Sequence, residues 1–399
     1  MNFRLAKSER RTLEKLYRQS KDGFSALATE LRTDKRVFHL YNAGVKSGRI
    51  RFGLFGRDLL IVALMLQKPV FMKEAIRFVC ATLGQVYDPE TGEEPGRGLH
   101  EFTDVEMKGR STRYNAAEVS LLLLIVAADY QAKTGEVSLI VQERDALTAA
   151  INYLYAHLED GLFVENPGRC GADRYALRVT YWKDSKLPRR DRDEPAYPVV
   201  YTLVQAQAVA ALRAAAFLAL PLGMITWSQK LRMAADRAVR HLFTTLWDKA
   251  NDYPLIAVDG DGEVCGISSD GLHMLAYLEQ EDLPPEKLAA ITAKTHRLLT
   301  PYGYRTYAPV QPGYAPDSYH LGAIWPYEQF FILQGALIHG QHEVAAGSVR
   351  IISALERIGF AELIYWDGSK LTASGCNPQL WSLAYPQAVD RLFSDRLRE

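Results

Sequence analysis

The chain has 399 residues, 48% hydrophobic and 24% charged, and its 47 basic and 47 acidic side chains give a formal net charge of zero. That balance provides no overall basic field for nucleic acid or an anionic membrane surface, and makes a neutral small molecule the easier partner. The length exceeds one ordinary domain, yet a closed ring of repeated helical hairpins reaches this size around a single core.

The opening "MNFRLAKSERRTLEKLYRQ" holds no apolar signal-peptide core, and no long charge-free apolar stretch follows. The expectation is a cytoplasmic protein with neither secretion nor a membrane span. Cys80, Cys170, Cys265 and Cys376 stand far apart without a CxxC pair. This spacing predicts reduced thiols and no metal or other cofactor.

Apolar spacing at three and four residues predicts helices near 8–31, 57–67, 71–86, 114–134, 142–159, 196–218, 226–249, 270–279, 284–299, 326–338, 342–357 and 378–394. Some, such as "AAEVSLLLLIVAADY", are apolar nearly all round, whereas "KLRMAADRAVRHLFTTLWDK" carries a charged face. The first kind belongs inside and the second outside. Their alternation predicts an all-α (α/α)6 barrel, six helical hairpins in an inner and an outer ring. It forms one catalytic domain over 1–399, with 1–50 as an N-terminal helical segment of that domain. Strand-like pieces such as "PLIAVDGDGEVCGI" decorate loops, and the charged stretch "KDSKLPRRDRDEP" interrupts the barrel rather than dividing it.

If successive helices run antiparallel, alternate N-termini meet at one end. The six stretches there read "FGLFGRD", "RYNAAE", "TYWKDS", "SSDGLH", "SYHLGAIWPYE" and "GFAELIYWDGSKLTASGCNPQLW". They gather the chain's unusual combinations of Trp, Tyr, His, Asp and Glu, so one shared pocket is expected at that end.

From about Phe52 to Trp381 these residues resemble the amylo-α-1,6-glucosidases related to the C-terminal glucosidase domain of glycogen debranching enzymes. The pieces are "LFGRDLL" (54–60), "YDPETGEEPGRGLHEF" (87–102), "YNAAE" (114–118), "YWKDS" (181–185), "VQAQAVAAL" (204–212), "SSDGLHML" (268–275), "SYHLGAIWP" (318–326) and "GCNPQLWS" (375–382), in the family's order. The resemblance implies an inverting (α/α)6-barrel glycoside hydrolase acting on a small-molecule carbohydrate. It implies Asp184 as general acid and Glu362 as general base. Arg57 and Asp58 would hold the sugar at the cleavage subsite, His320 and Trp325 would form its wall, and Gln379 and Trp381 would end the base-bearing loop. Tyr114, Asn115, Glu118, Trp182, His273 and Tyr319, all within the matching pieces, complete the expected substrate-binding set. The family usually has Asp where Glu118 and Glu328 stand and Pro where Ala361 stands, and no counterpart of its N-terminal sugar-binding domain is expected. These departures point away from glycogen and toward a short α-glucoside or related small glycoside.

Inversion needs one protonated carboxyl for the leaving oxygen and one carboxylate that activates water on the opposite face. Asp184 beside Tyr181 and Trp182 can be desolvated enough to stay protonated, while Lys183 pulls the other way if its ammonium turns inward. A solvated loop acid is the plain alternative for Asp184, a surface glutamate for Glu362, and a helix cap with its charge pair for Arg57 and Asp58. Glu118, a first-turn acid by default, is the rival catalytic carboxyl. His320 and Trp325 could equally pack the barrel wall, although a Trp face suits the C–H side of a pyranose. "DGDGEV" (259–264) lacks the later calcium ligands, and "EPGRG" lacks the ending of a phosphate loop. The other readings of the same fold are a phosphorylase or epimerase, against which Glu362 argues, and a catalytically inactive carbohydrate-binding protein.

Overall fold

The computed structural model describes residues 3–33, 36–102, 105–107, 109–188 and 193–395. About half of them are helical: α1 (Lys7–Leu27), α2 (Gly56–Leu66), α3 (Pro69–Ala81), α4 (Val119–Thr134), α5 (Ser138–Gln142), α6 (Arg144–Ala156), α7 (Thr202–Leu218), α8 (Ile225–Thr244), α9 (Asp270–His273), α10 (Pro285–Ala293), α11 (Pro326–Ile338), α12 (His342–Ser348), α13 (Ile351–Ile358) and α14 (Leu380–Asp395).

Which helices lie inside follows from which have no polar face. Every residue of α2 is buried, as are most of α7 and α11 and the first six residues of α4, Val119–Leu124. Each therefore needs neighbours on all sides. The packing supplies them in a closed circuit: α2 against α4, α4 against α7, α7 against the 3-10 turn Met274–Tyr277 that continues α9, that turn against α11, α11 against α14, and α14 back against α2. Outside it, α3 lies on α2 and α4, α6 on α4, α8 on α7, α12 on α11 and α1 on α14. In α8 the buried Leu231, Ala234, Ala235, Ala238 and Leu242 recur at three- and four-residue spacing, and charged residues cover its far side. The arrangement is consistent with an α/α-barrel type of fold, and its main core brings Leu13 and Leu16 of α1 together with Leu121–Leu124 of α4. Truncating one of those fully buried leucines to Ala costs about 2–5 kcal/mol.

Helix ends depart from the sequence expectation wherever a strand or turn captures the chain. The first helix stops at Leu27, because Ala28–Arg32 pairs with Val37–Tyr41, so residues 1–50 are not helical throughout. The helix expected from 196 starts at Thr202, after Val199–Tyr201 joins Ala257–Asp259 and Gly262–Val264 in a three-stranded sheet. The helix expected over 114–134 begins only at Val119 and ends at Gly135, whose left-handed φ of 70° lets its N–H reach Gln131 O. The segment 342–357 is two helices, α12 and α13. Of the charged loop 183–195, residues 189–192 lie outside the described residues. Among the described residues no helix is long and apolar enough to cross a membrane, and Cys80, Cys170 and Cys376 are buried while Cys265 is exposed.

Candidate active site

Three acids mark the starts of helices in the inner circuit: Asp58 in the first turn of α2, Glu118 at the N-cap of α4 and Glu328 in the first turn of α11. Such ends favour negative charge. Their other partners decide what each does.

Asp184 lies in an irregular segment whose neighbours are tied down on both sides. Before it, Tyr181 Oη and Trp182 Nε1 donate to Asp270 at 3.2 and 3.3 Å. Lys183 Nζ sits 2.9 Å from Asp270 Oδ1 and donates to Ser268 Oγ, Ser269 Oγ and the Thr306 carbonyl. The ammonium is thus engaged away from Asp184. After it, the Ser185 N–H donates to His320 Nδ1 at 3.2 Å. Burial first, then Lys183 and Arg57, hold the His320 ring neutral, so its 4.0 Å approach to Asp184 is not an ion pair.

Arg57 is the charged partner of Asp184, with Nη1 3.1 Å from Oδ2, and its Nε lies 2.7 Å from Glu118 Oε1 without hydrogen-bond alignment. Burial pushes the Asp184 carboxyl above its ordinary range against the pull of Arg57. Burial is the larger effect, and the same guanidinium also faces Glu118 and Asp58. Burial raises Glu118 in the same way. Asp58 is pushed up to about 8 by burial, over the opposing Arg57, with Glu362 and Asp184 adding repulsion. Gln379 Nε2 donates to Asp58 Oδ2 at 3.3 Å.

Glu362 faces this group from the segment before the hairpin Leu363–Trp366/Leu371–Ser374. Tyr319 Oη donates to its Oε1, and the Cys376 N–H to its Oε2 at 2.8 Å. A Cβ at Gly375, where φ is 72°, would collide with the carboxylate, so the glycine creates the seat. Burial raises Glu362 while the bonds from Tyr319 and Cys376 lower it, and Asp184 is near enough for its charge to raise it again.

Asp58, Asp184 and Glu362 line one cavity of about 240 Å³ together with Arg57, Trp182, Tyr319, His320, Trp325, Gln379 and Trp381. That is smaller than the roughly 300–1,000 Å³ usual for drug-sized ligands. Its aromatic wall is interlocked: Trp325 meets Trp182 and Trp381 edge-on at 5.6 and 5.7 Å and stacks on His320 at 5.2 Å. Trp325 Nε1 donates to the Tyr319 carbonyl at 2.9 Å, which satisfies its one polar atom.

Four of the expected substrate-binding residues stand off the cavity wall. Glu118 lies behind Arg57. Tyr114 donates to Thr82 O, and Asn115 joins Thr91 O to the Leu177 N–H. His273 stacks on Phe331 at 5.0 Å, behind Trp182. Conversely, Phe55, His100, Glu101, Val105, Met107, Thr112 and Leu177 also line the cavity without having been singled out. The juxtaposed "HE" of "GRGLHEF" was the available signal. Lys183 was legible as a charge, but not that Asp270 would capture it. Among the described residues no group of three His, Cys, Asp or Glu side chains could hold a metal ion.

The family model that matches, over residues 127–382, describes a mannosylglycerate hydrolase MGH1-like glycoside hydrolase domain. Its span includes Asp184 and Glu362 but not Arg57 or Asp58. Among solved structures, the GH63 mannosylglycerate hydrolase of Thermus thermophilus in complex with glucose aligns with TM-score 0.65 at 16% identity, over 94% of this chain and 100% of that one. A GH78 family rhamnosidase of a Bacillus species aligns with TM-score 0.62 at 14% identity, over 98% of this chain and 35% of that one. At such identities the likeness is one of fold. No curated protein sequence matches.

Proposed function

Because the chain belongs to the mannosylglycerate hydrolase MGH1-like glycoside hydrolase family, we propose that it is an inverting, exo-acting glycoside hydrolase. Its substrate is a short α-glucoside or a related small glycoside, and its helical circuit is the inner ring of an (α/α)6 barrel. The observation that carries this is that Asp184 and Glu362, both with raised carboxyl pKa, face one small cavity walled by tryptophans.

Asp184, whose carboxyl pKa burial raises, gives its proton to the glycosidic oxygen as the bond from the anomeric carbon to that oxygen breaks. Glu362 takes a proton from a water on the opposite face, and that water's oxygen forms the new bond to the anomeric carbon. The product leaves with inverted configuration, Asp184 ionised and Glu362 protonated, and exchange with solvent resets both. The bonds from Tyr319 and the Cys376 N–H oppose the rise that burial imposes on Glu362 and so favour its ionised, water-activating form. Asp58, Gln379 and Arg57 meet sugar hydroxyls, and Trp325 and Trp381 offer flat faces to the ring.

A cavity of this size suits one sugar ring and a small aglycone better than a polymer. A 1,6-glucosidase-like preference and a mannosylglycerate-like one are therefore compared directly in the test. Isomaltose, trehalose, sucrose, glucosylglycerate and mannosylglycerate are screened for released sugar, with Asp184→Asn alongside. Release from at least one, with turnover about 10²–10⁴-fold lower in Asp184→Asn, is the expected result. No release from any of them favours a carbohydrate-binding protein.

A further inference from the structure

The segment that carries Asp184 has no regular secondary structure to hold it. Among the described residues no helix or strand lies between the 3-10 turn Pro167–Cys170 and the strand Val199–Tyr201. The three consecutive side chains just before the acid are tied instead to one carboxylate. Tyr181 Oη donates to Asp270 Oδ2, Trp182 Nε1 donates to Asp270 Oδ1, and Lys183 Nζ lies 2.9 Å from that same Oδ1. Asp270 is the first residue of α9 and is buried. Its seat is fixed in turn, because Ser268 Oγ donates to Oδ2 at 3.0 Å and Tyr253 Oη donates to the Ser268 carbonyl at 2.9 Å. The Ser269 N–H donates to the Thr306 carbonyl at 3.0 Å.

Asp270 stands behind the cavity, whereas Trp182 and Asp184 both line it. What Asp270 sets is their direction. With its indole N–H held there, the Trp182 ring meets Trp325 edge-on at 5.6 Å and His320 at 5.5 Å. With the Lys183 ammonium drawn to Asp270, the Asp184 carboxyl is left to Arg57 Nη1 at 3.1 Å, and the Ser185 N–H beyond it to His320 Nδ1. The bond from an ammonium to a carboxylate is charge-assisted and so the strongest of the three ties. A reacting group on an irregular backbone depends on such ties, since a displacement of about 1 Å can cost roughly 10²-fold in rate.

We infer that Asp270 is a positioning residue for the general acid, the one carboxylate whose hold on Tyr181, Trp182 and Lys183 aims Asp184 at the glycosidic oxygen. This rests on the hydrolytic reading for the role of Asp184 and adds to it a residue outside the cavity.

The test compares Asp270→Asn with the wild-type protein on two glycosides that share one glycone. One has an alkyl leaving group that needs the proton, and the other a nitrophenyl group that departs without it. A misdirected acid lowers kcat on the alkyl glycoside by about 10–10²-fold and on the nitrophenyl glycoside several-fold less. A merely structural role lowers both alike. Because Asp270→Asn leaves Lys183 unpaired in the interior, the double variant Asp270→Asn/Lys183→Met removes the charge together with its partner, and it shows the same split. Crystal structures of both variants read the anchor without any substrate, and Asp184 Oδ2 is expected beyond the roughly 3.5 Å hydrogen-bond reach of Arg57. Equal losses on the two glycosides, or an Asp184 carboxyl still bonded to Arg57 in both variants, overturns the assignment. If Asp184 is displaced in the variants while the wild-type protein hydrolyses neither glycoside, the hydrolytic reading fails and Asp270 stands as the anchor of this segment.

Discussion

Arg57 Nη1 lies 3.1 Å from Asp184 Oδ2, while the same guanidinium's Nε lies 2.7 Å from Glu118 Oε1, with both Arg57 and Glu118 buried. A carboxylate that does not touch the cavity therefore competes for the cation that would otherwise hold Asp184 ionised. In Glu118→Gln the competition ends and a repelling charge disappears, and both changes move the Asp184 pKa down. The alkaline limb of kcat/KM against pH should shift to lower pH, with a rate loss at the optimum smaller than the roughly 10²–10⁴-fold due to a missing acid. An unmoved limb would remove Glu118 from control of the proton.

Tyr319 acts on the other carboxyl with the opposite sign. Its hydroxyl lowers the Glu362 pKa by donating to the charged form. Tyr319→Phe gives up a hydrogen bond to a charged group, worth about 1.5–3 kcal/mol. The acidic limb should move to higher pH, so activity falls more at pH 5 than at pH 8. An equal loss at both pH values would leave Tyr319 as a wall residue only.

Asp58 links the site to stability. Its folded pKa of about 8 is above its unfolded value, so between about 4 and 8 the folded state binds the extra proton. Stability is greatest below that window and falls as pH rises through it, by at most about 1.4 kcal/mol per pH unit from this group. Asp58→Asn should flatten that slope and raise the Tm at pH 8 relative to wild type, while impairing turnover. A parallel Tm profile in the two proteins would contradict the raised value.

The expectations that succeeded are those encoded locally. All-round apolar helices such as α4 have to sit inside, and the charged face of α8 has to sit outside, so the inner and outer sets were readable from spacing. Helix starts drew Asp58 to the cavity for the same reason. What the sequence left unread depends on pairing across long distances. Val199–Tyr201 became a strand because it meets Ala257–Asp259. Lys183 turned from its neighbour Asp184 to Asp270, and Tyr319 found Glu362. Asn115 came with the right motif, but its amide is spent on Thr91 and Leu177. Motif proximity could not separate residues on the cavity wall from those one layer behind it.

The configuration of the first-formed product tests the central claim, that Asp184 and Glu362 act from opposite faces of the sugar. Proton NMR is recorded within the first turnovers on the best α-linked glycoside of the screen, before mutarotation equilibrates the sugar. The account predicts that the β anomer appears first and the α anomer only afterwards, at the rate of spontaneous mutarotation. Initial release of the α anomer would mean retention, with a carboxylate attacking the sugar directly, and would contradict it.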